Sequence, residues 1–129
     1  MTLTVFIAED DKAAATSLTE LLVAQGDVEV VGSASSEMAA ADWLITRGGT
    51  TDLLIADLLL IPGGSGFGVI HHAKSLGAFR KVAVFSNFVT PAVAERCRKL
   101  GADAVFLKSE LEELLAYVRA QRSADAAAV

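Results

Sequence analysis

The sequence predicts an α/β fold in which a five-stranded parallel sheet carries helices on both faces. Three observations lead there. Short apolar runs alternate with helix-spaced segments five times, at roughly 20 to 25 residues per unit. The runs Leu53–Ala56 and Val82–Phe85 lack polar alternation, as strands covered on both faces require. The chain has 129 residues, of which 53% are hydrophobic and 21% charged, the balance of one folded domain rather than of a disordered chain.

Leu3 to Ala8 is the first strand, and Asp10-Asp11 can cap the helix that follows. In that helix Leu18, Leu21, Leu22 and Gln25 recur at helical spacing, and Gly26 supplies a stop. Val28 to Val31 is the second strand. Ser35 or Ser36 then caps a helix through Met38, Trp43 and Leu44 that ends at Gly48-Gly49. Asp52 to Asp57 is a third strand with an acid at its C-terminal end. The loop Pro62-Gly63-Gly64-Ser65-Gly66 leads into a helix from Phe67 to Leu76, stopped by Gly77. Val82 to Phe85 is a strand running into Ser86-Asn87. Thr90-Pro91 pairs a cap with proline at the first helical position, and Val93, Cys97 and Leu100 form an apolar stripe before Gly101. Ala104 to Leu107 is the last strand and meets Lys108. Ser109 with Glu112 reads as a capping box for a helix carrying Leu111, Leu114, Leu115 and Val118. The expected domain covers residues 1–122, with 123–129 as a flexible, small-residue tail.

Charge and cysteine content narrow the function classes. A net charge of −5 argues against direct binding of nucleic acid or of an anionic membrane. No apolar run reaches the roughly 18 residues of a membrane span, and the N-terminus lacks the basic region of a signal peptide. Cys97 is the one cysteine, consistent with a reducing compartment. The expectation is a cytoplasmic domain.

Ligands of open α/β sheets bind outside the carboxyl ends of the strands. This sequence places Glu9, Asp10 and Asp11 after the first strand, Asp57 at the third, Ser86-Asn87 at the fourth and Lys108 at the fifth. Glu9, Asp10 and Asp57 brought together would repel one another. A hard divalent cation relieves that repulsion, and Mg²⁺ suits a few carboxylates with retained waters. A carboxylate can serve as nucleophile for an aspartyl phosphate, and Lys108 and Ser86 can stabilise charge on the transferring oxygens. Asp11 reads as helix N-terminal charge.

The motifs Val5-Phe6-Ile7-Ala8-Glu9-Asp10, Asp57, Val84-Phe85-Ser86-Asn87, Gly101-Ala102-Asp103 and Phe106-Leu107-Lys108 stand in order on successive strand ends. Over residues 3 to 121 the chain resembles a stand-alone response regulator receiver domain of the CheY-like type. The resemblance implies a doubly wound (βα)5, flavodoxin/CheY-like fold with strand order 2-1-3-4-5. It implies that Asp57 accepts a phosphoryl group from a sensor histidine kinase or a histidine phosphotransfer protein. Glu9, Asp10, Asp57 and the backbone carbonyl of Leu59 would hold Mg²⁺, Ser86 would sense the phosphoryl group, and Lys108 would pair with it. Such a domain is a signalling switch that changes its binding to a downstream protein target, with weak self-catalysed transfer and dephosphorylation. The resemblance names neither kinase nor target, and it leaves a homodimer open.

The chain departs from that pattern at four places. Pro62 and Gly66 lie five and nine residues after Asp57, where the family has proline and glycine at four and eight. Ser109 follows the lysine in place of proline. Val105 stands where an aromatic switch residue is usual, and Asn87 where alanine is common. The shifted loop and Val105 motivate an alternative, a degenerate receiver acting as a phosphorylation-independent interaction module. A flavin carrier of the same architecture would need phosphate donors where this chain has Glu9-Asp10-Asp11. An aspartyl phosphohydrolase would need a second Asp two residues after its nucleophile. The adjacent His71-His72 point about 100° apart on a helix and make a poor chelate.

Overall fold

The computed structural model describes residues 2–47, 51–60, 64–77 and 79–127. Five strands, β1 (Leu3–Ala8), β2 (Val28–Ala34), β3 (Thr51–Ala56), β4 (Phe79–Ser86) and β5 (Ala104–Leu107), alternate with five helices. The helices are α1 (Lys12–Ala24), α2 (Glu37–Arg47), α3 (Gly66–Leu76), α4 (Pro91–Leu100) and α5 (Leu111–Ala127). The strands form one parallel sheet in the order β2-β1-β3-β4-β5, as expected.

The strand runs read as continuous apolar stretches because their two faces feed two cores. Phe6, Leu54, Val82 and Val84 pack against Ala40 and Leu44 of α2, Val69, Ile70 and Ala73 of α3, and Cys97 of α4. Val5, Ile7, Leu53, Ile55 and Ala83 point the other way, against Leu18 and Leu22 of α1 and Leu114, Leu115 and Val118 of α5. Large side chains buried this completely contribute about 1.5 to 3 kcal/mol each. Trp43 stacks on Phe6 with ring centroids 4.1 Å apart, so its role is packing. The guanidinium of Arg96 on α4 lies 4.1 Å over the Phe67 ring of α3, and Arg122 of α5 donates to the Gln25 carbonyl at the end of α1 at 2.8 Å.

The helix caps follow the sequence closely, with one exception. Asp11 accepts from the Ala13 and Ala14 amides, Ser36 from Ala39, and Thr90 from Val93 ahead of Pro91. The capping box expected of Ser109 and Glu112 does not set the start of α5. Glu110 precedes the helix instead, and its own carboxylate accepts the Leu107 amide at 2.8 Å, leaving Ser109 in the turn. β2 runs three residues beyond Val31, and β4 starts three residues before Val82. Polar or small residues at those ends, Gly32-Ser33 and Arg80-Lys81, hide them from an apolar pattern. Leu21 is 38% exposed and Met38 76% exposed, so neither belongs to the buried stripe. The helical backbone continues to Ala127, so the segment read as a tail begins inside α5. Gly48-Gly49 and Pro62-Gly63 lie outside the described residues.

Candidate functional site

The parallel register aligns the carboxyl ends of four strands. Ala8 pairs with Ala56, Ala56 with Val84, and Ser86 with Leu107. Pairing then runs one residue further: the Asp57 amide donates to the Ala8 carbonyl at 2.9 Å, and the Lys108 amide to the Ser86 carbonyl at 3.1 Å. Glu9, Asp57, Ser86 and Lys108 therefore leave the sheet at one level, and Asp10 follows Glu9 into the same rim.

Their side chains converge on Asp57. Ser86 Oγ, fully buried, donates to Asp57 Oδ1 at 2.6 Å. The Leu59 amide donates to the same oxygen at 3.3 Å. Lys108 Nζ lies 2.9 Å from the other oxygen, Oδ2, and also pairs with Glu9 Oε1. Glu9 in turn accepts the Asp11 amide through Oε2 at 3.2 Å. Carboxylate oxygens of Glu9, Asp10 and Asp57 all lie within 4.8 Å of one another.

Burial and crowding shape the charges. Burial raises the Glu9 pKa, and the neighbouring Asp10 and Asp57 add to that push, while Lys108 and the Asp11 amide oppose it. For Lys108, burial pulls the pKa down. The hydrogen bonds and field of Glu9 and Asp57 outweigh that pull, so the ammonium titrates above the ordinary lysine value of 10.5. Three carboxylates facing one ammonium make a set of hard oxygen donors whose repulsion a divalent cation relieves. The donor set fits Mg²⁺.

Of the six residues the sequence singled out, Glu9, Asp10, Asp57, Ser86 and Lys108 come together by their side chains. Leu59 differs: its side chain is 41% exposed, and its backbone joins the site through its amide and an antiparallel bridge to Ser65. Gly66 closes the same loop. A Cβ there would strike the Asp57 carbonyl oxygen and stand 2.7 Å from Leu58 Cα, and its amide donates to the Leu58 carbonyl at 3.0 Å. Val105 packs into the α2/α3/α4 core while Phe106 packs against α5, with its ring 5.7 Å from Tyr117. His72 meets Glu37 at 3.6 Å rather than joining His71 in a chelate.

Two residues at this rim were not singled out in the sequence. The Phe88 amide donates to Ser86 Oγ at 3.2 Å, and its side chain is 55% exposed. Glu37 accepts the Ser65 amide at 2.9 Å from 28 positions away. An exposed aromatic two residues after the hydroxyl could have flagged the first; no local pattern marks the second.

The family model described as response regulator receiver domain matches residues 5–119. The chain is 31% identical over 114 residues to the transcriptional regulatory protein DesR of Bacillus subtilis (strain 168), covering 88% of this chain and 55% of that protein. It thus spans about half the length of the curated relatives it matches. Among solved structures, the receiver domain of the Francisella response regulator 1452 superposes with a TM-score of 0.82 at 17% identity, over 96% of this chain and 99% of that one. A LuxR-family DNA-binding response regulator from Staphylococcus aureus gives a TM-score of 0.80 at 22% identity, over 92% and 98%.

Proposed function

Since the chain belongs to the response regulator receiver domain family, we propose that it is a phosphorylatable receiver whose acceptor is Asp57. The donor is a phosphohistidine on a sensor histidine kinase or a histidine phosphotransfer protein. An oxygen of Asp57 attacks the phosphorus, a P–O bond forms, and the P–N bond to the imidazole breaks. The electron pair returns to the imidazole nitrogen, which is then free to take a proton. Lys108 donates to oxygens of the group in transfer, and Ser86 turns its hydroxyl from Asp57 to the phosphoryl oxygen once transfer is complete. Glu9, Asp10, Asp57 and the Leu59 carbonyl would hold Mg²⁺, which supplies neutralisation of the charge that an anionic donor brings to an acidic pocket. The reading is of a cytoplasmic switch that changes its grip on a downstream protein.

The observation that carries this proposal is the division of labour on one carboxylate. Ser86 takes Oδ1 and Lys108 takes Oδ2 of Asp57, with Glu9 and Asp10 alongside. A solvated strand-end aspartate has no need of a buried hydroxyl and an ammonium on separate oxygens.

Incubation with acetyl phosphate and Mg²⁺, read by intact mass, tests it. The wild type should gain one phosphoryl group only with Mg²⁺ present, and Asp57→Asn should gain none. Undiminished labelling of Asp57→Asn would remove Asp57 as the acceptor. No labelling of the wild type would favour a degenerate receiver that binds partners without phosphorylation.

A further inference from the structure

Glu37, the first residue of α2, carries its carboxylate across to the start of α3. Oε1 accepts the Ser65 amide at 2.9 Å, and Oε2 lies 3.6 Å from Nε2 of His72. Two glycines make the room. A Cβ on Gly64 would stand 2.7 Å from Oε1, and one on Gly68 would overlap the carboxylate itself. The negative charge thus lies beside the N-terminus of α3, the positive end of that helix's dipole.

Ser65 is the junction that this carboxylate grips. Its hydroxyl caps α3 by accepting from the Phe67 and Gly68 amides at 3.1 and 3.4 Å. Its backbone bridges antiparallel to Leu59, whose amide donates to Asp57 Oδ1. A continuous series of contacts runs from Glu37 through Ser65 and Leu59 to the acceptor carboxylate. The grip comes from a different helix, outside the loop it holds.

We propose that Glu37 is a positioning residue for the metal site. By fixing Ser65 it fixes Leu59, and so sets where the Leu59 carbonyl stands relative to the carboxylates of Glu9, Asp10 and Asp57. This rests on the reading of those carboxylates as a Mg²⁺ site. The Glu37 side chain is not among the clustered carboxylates of Glu9, Asp10 and Asp57 and acts through the backbone of residues 59 and 65. Its glutamine analogue retains an oxygen that can accept the same amide, whereas alanine retains nothing.

Mg²⁺ titration of the full chain, followed by calorimetry and by the backbone NMR signal of Asp57, tests the proposal on four proteins. These are wild type, Glu37→Ala, Glu37→Gln and Ser36→Ala, the last removing the cap of α2 without touching Ser65. Glu37→Ala should bind Mg²⁺ about tenfold more weakly, while Glu37→Gln and Ser36→Ala stay close to wild type. Without metal, amide exchange at Ser65 and Gly66 should quicken in Glu37→Ala alone. Wild-type affinity in Glu37→Ala would overturn the proposal and leave the metal site standing. Equal weakening in Ser36→Ala would also overturn it, by showing that any loosening of α2 is enough. A wild type that binds no Mg²⁺ at Asp57 would remove the metal-site reading and this proposal together.

Discussion

The hydroxyl of Ser86 donates to Oδ1 of Asp57 across 2.6 Å, with both residues buried. A bond this short to a carboxylate belongs to the charge-assisted class. Ser86→Ala should therefore lower stability by about 2 kcal/mol, measured by urea unfolding without metal. Unchanged stability would mean that the Leu59 amide alone satisfies Oδ1.

Lys108 holds Glu9 and Asp57 at once. Lys108→Met leaves the three clustered carboxylates without that ammonium and should cost about 3 kcal/mol at neutral pH. Saturating Mg²⁺ should recover most of the loss, because a cation on the same carboxylates replaces the missing charge. A deficit of the same size with and without Mg²⁺ would show that the lysine stem, not its charge, is what matters.

Tyr117 is the one tyrosine of the chain, so tyrosinate absorbance reports it alone. Burial, helped by Asp103, pushes its pKa from 10.0 up to about 12. The folded state then holds a proton that the unfolded state has lost, so stability falls as pH rises from about 10 towards 12. Lys108, whose pKa is also raised, acts in the same direction: its contribution is full below 10.5 and fades as pH climbs through the folded value. Alkaline titration with circular dichroism in parallel should place the Tyr117 midpoint near 12. A midpoint near 10 while the dichroism is still native would contradict the buried ring.

Val105 is β-branched and packs towards α4, while the neighbouring aromatic, Phe106, is engaged with Tyr117 on the other face. No ring on β5 can fill space vacated behind Ser86. Beryllofluoride with Mg²⁺ should shift NMR signals of residues 86–90 strongly and those of Val105 weakly. Shifts along 104–107 as large as those beside Asp57 would show that the valine strand transmits after all.

The parts legible in the sequence were those set by local chemistry. Strands buried on both faces are continuous apolar runs, and their ends are marked by the first residue that cannot be buried without a partner: Glu9, Asp57, Ser86, Lys108. Caps such as Asp11 and Thr90 act over three residues and read directly. The start of α5 did not, because Glu110 turns its carboxylate back to the Leu107 amide and displaces Ser109 from the cap. The early start of β4 was hidden because Arg80 pairs with Asp52 at the amino-terminal ends of β4 and β3, a contact between polar residues 28 apart. Glu37 was invisible for a related reason: its target amide belongs to another βα unit, and only folding brings the two together.

The pairing of Glu9 with Lys108 joins residues 99 positions apart. During synthesis the three acids are made first, and the ammonium that faces them comes last. Until β5 docks beside β4, an incomplete chain carries the repulsion of Glu9, Asp10 and Asp57 without that relief. The acidic rim thus penalises partly assembled sheets, and a nascent chain stopped before β5 lacks both the fifth strand and the ammonium that pairs with Glu9 and Asp57.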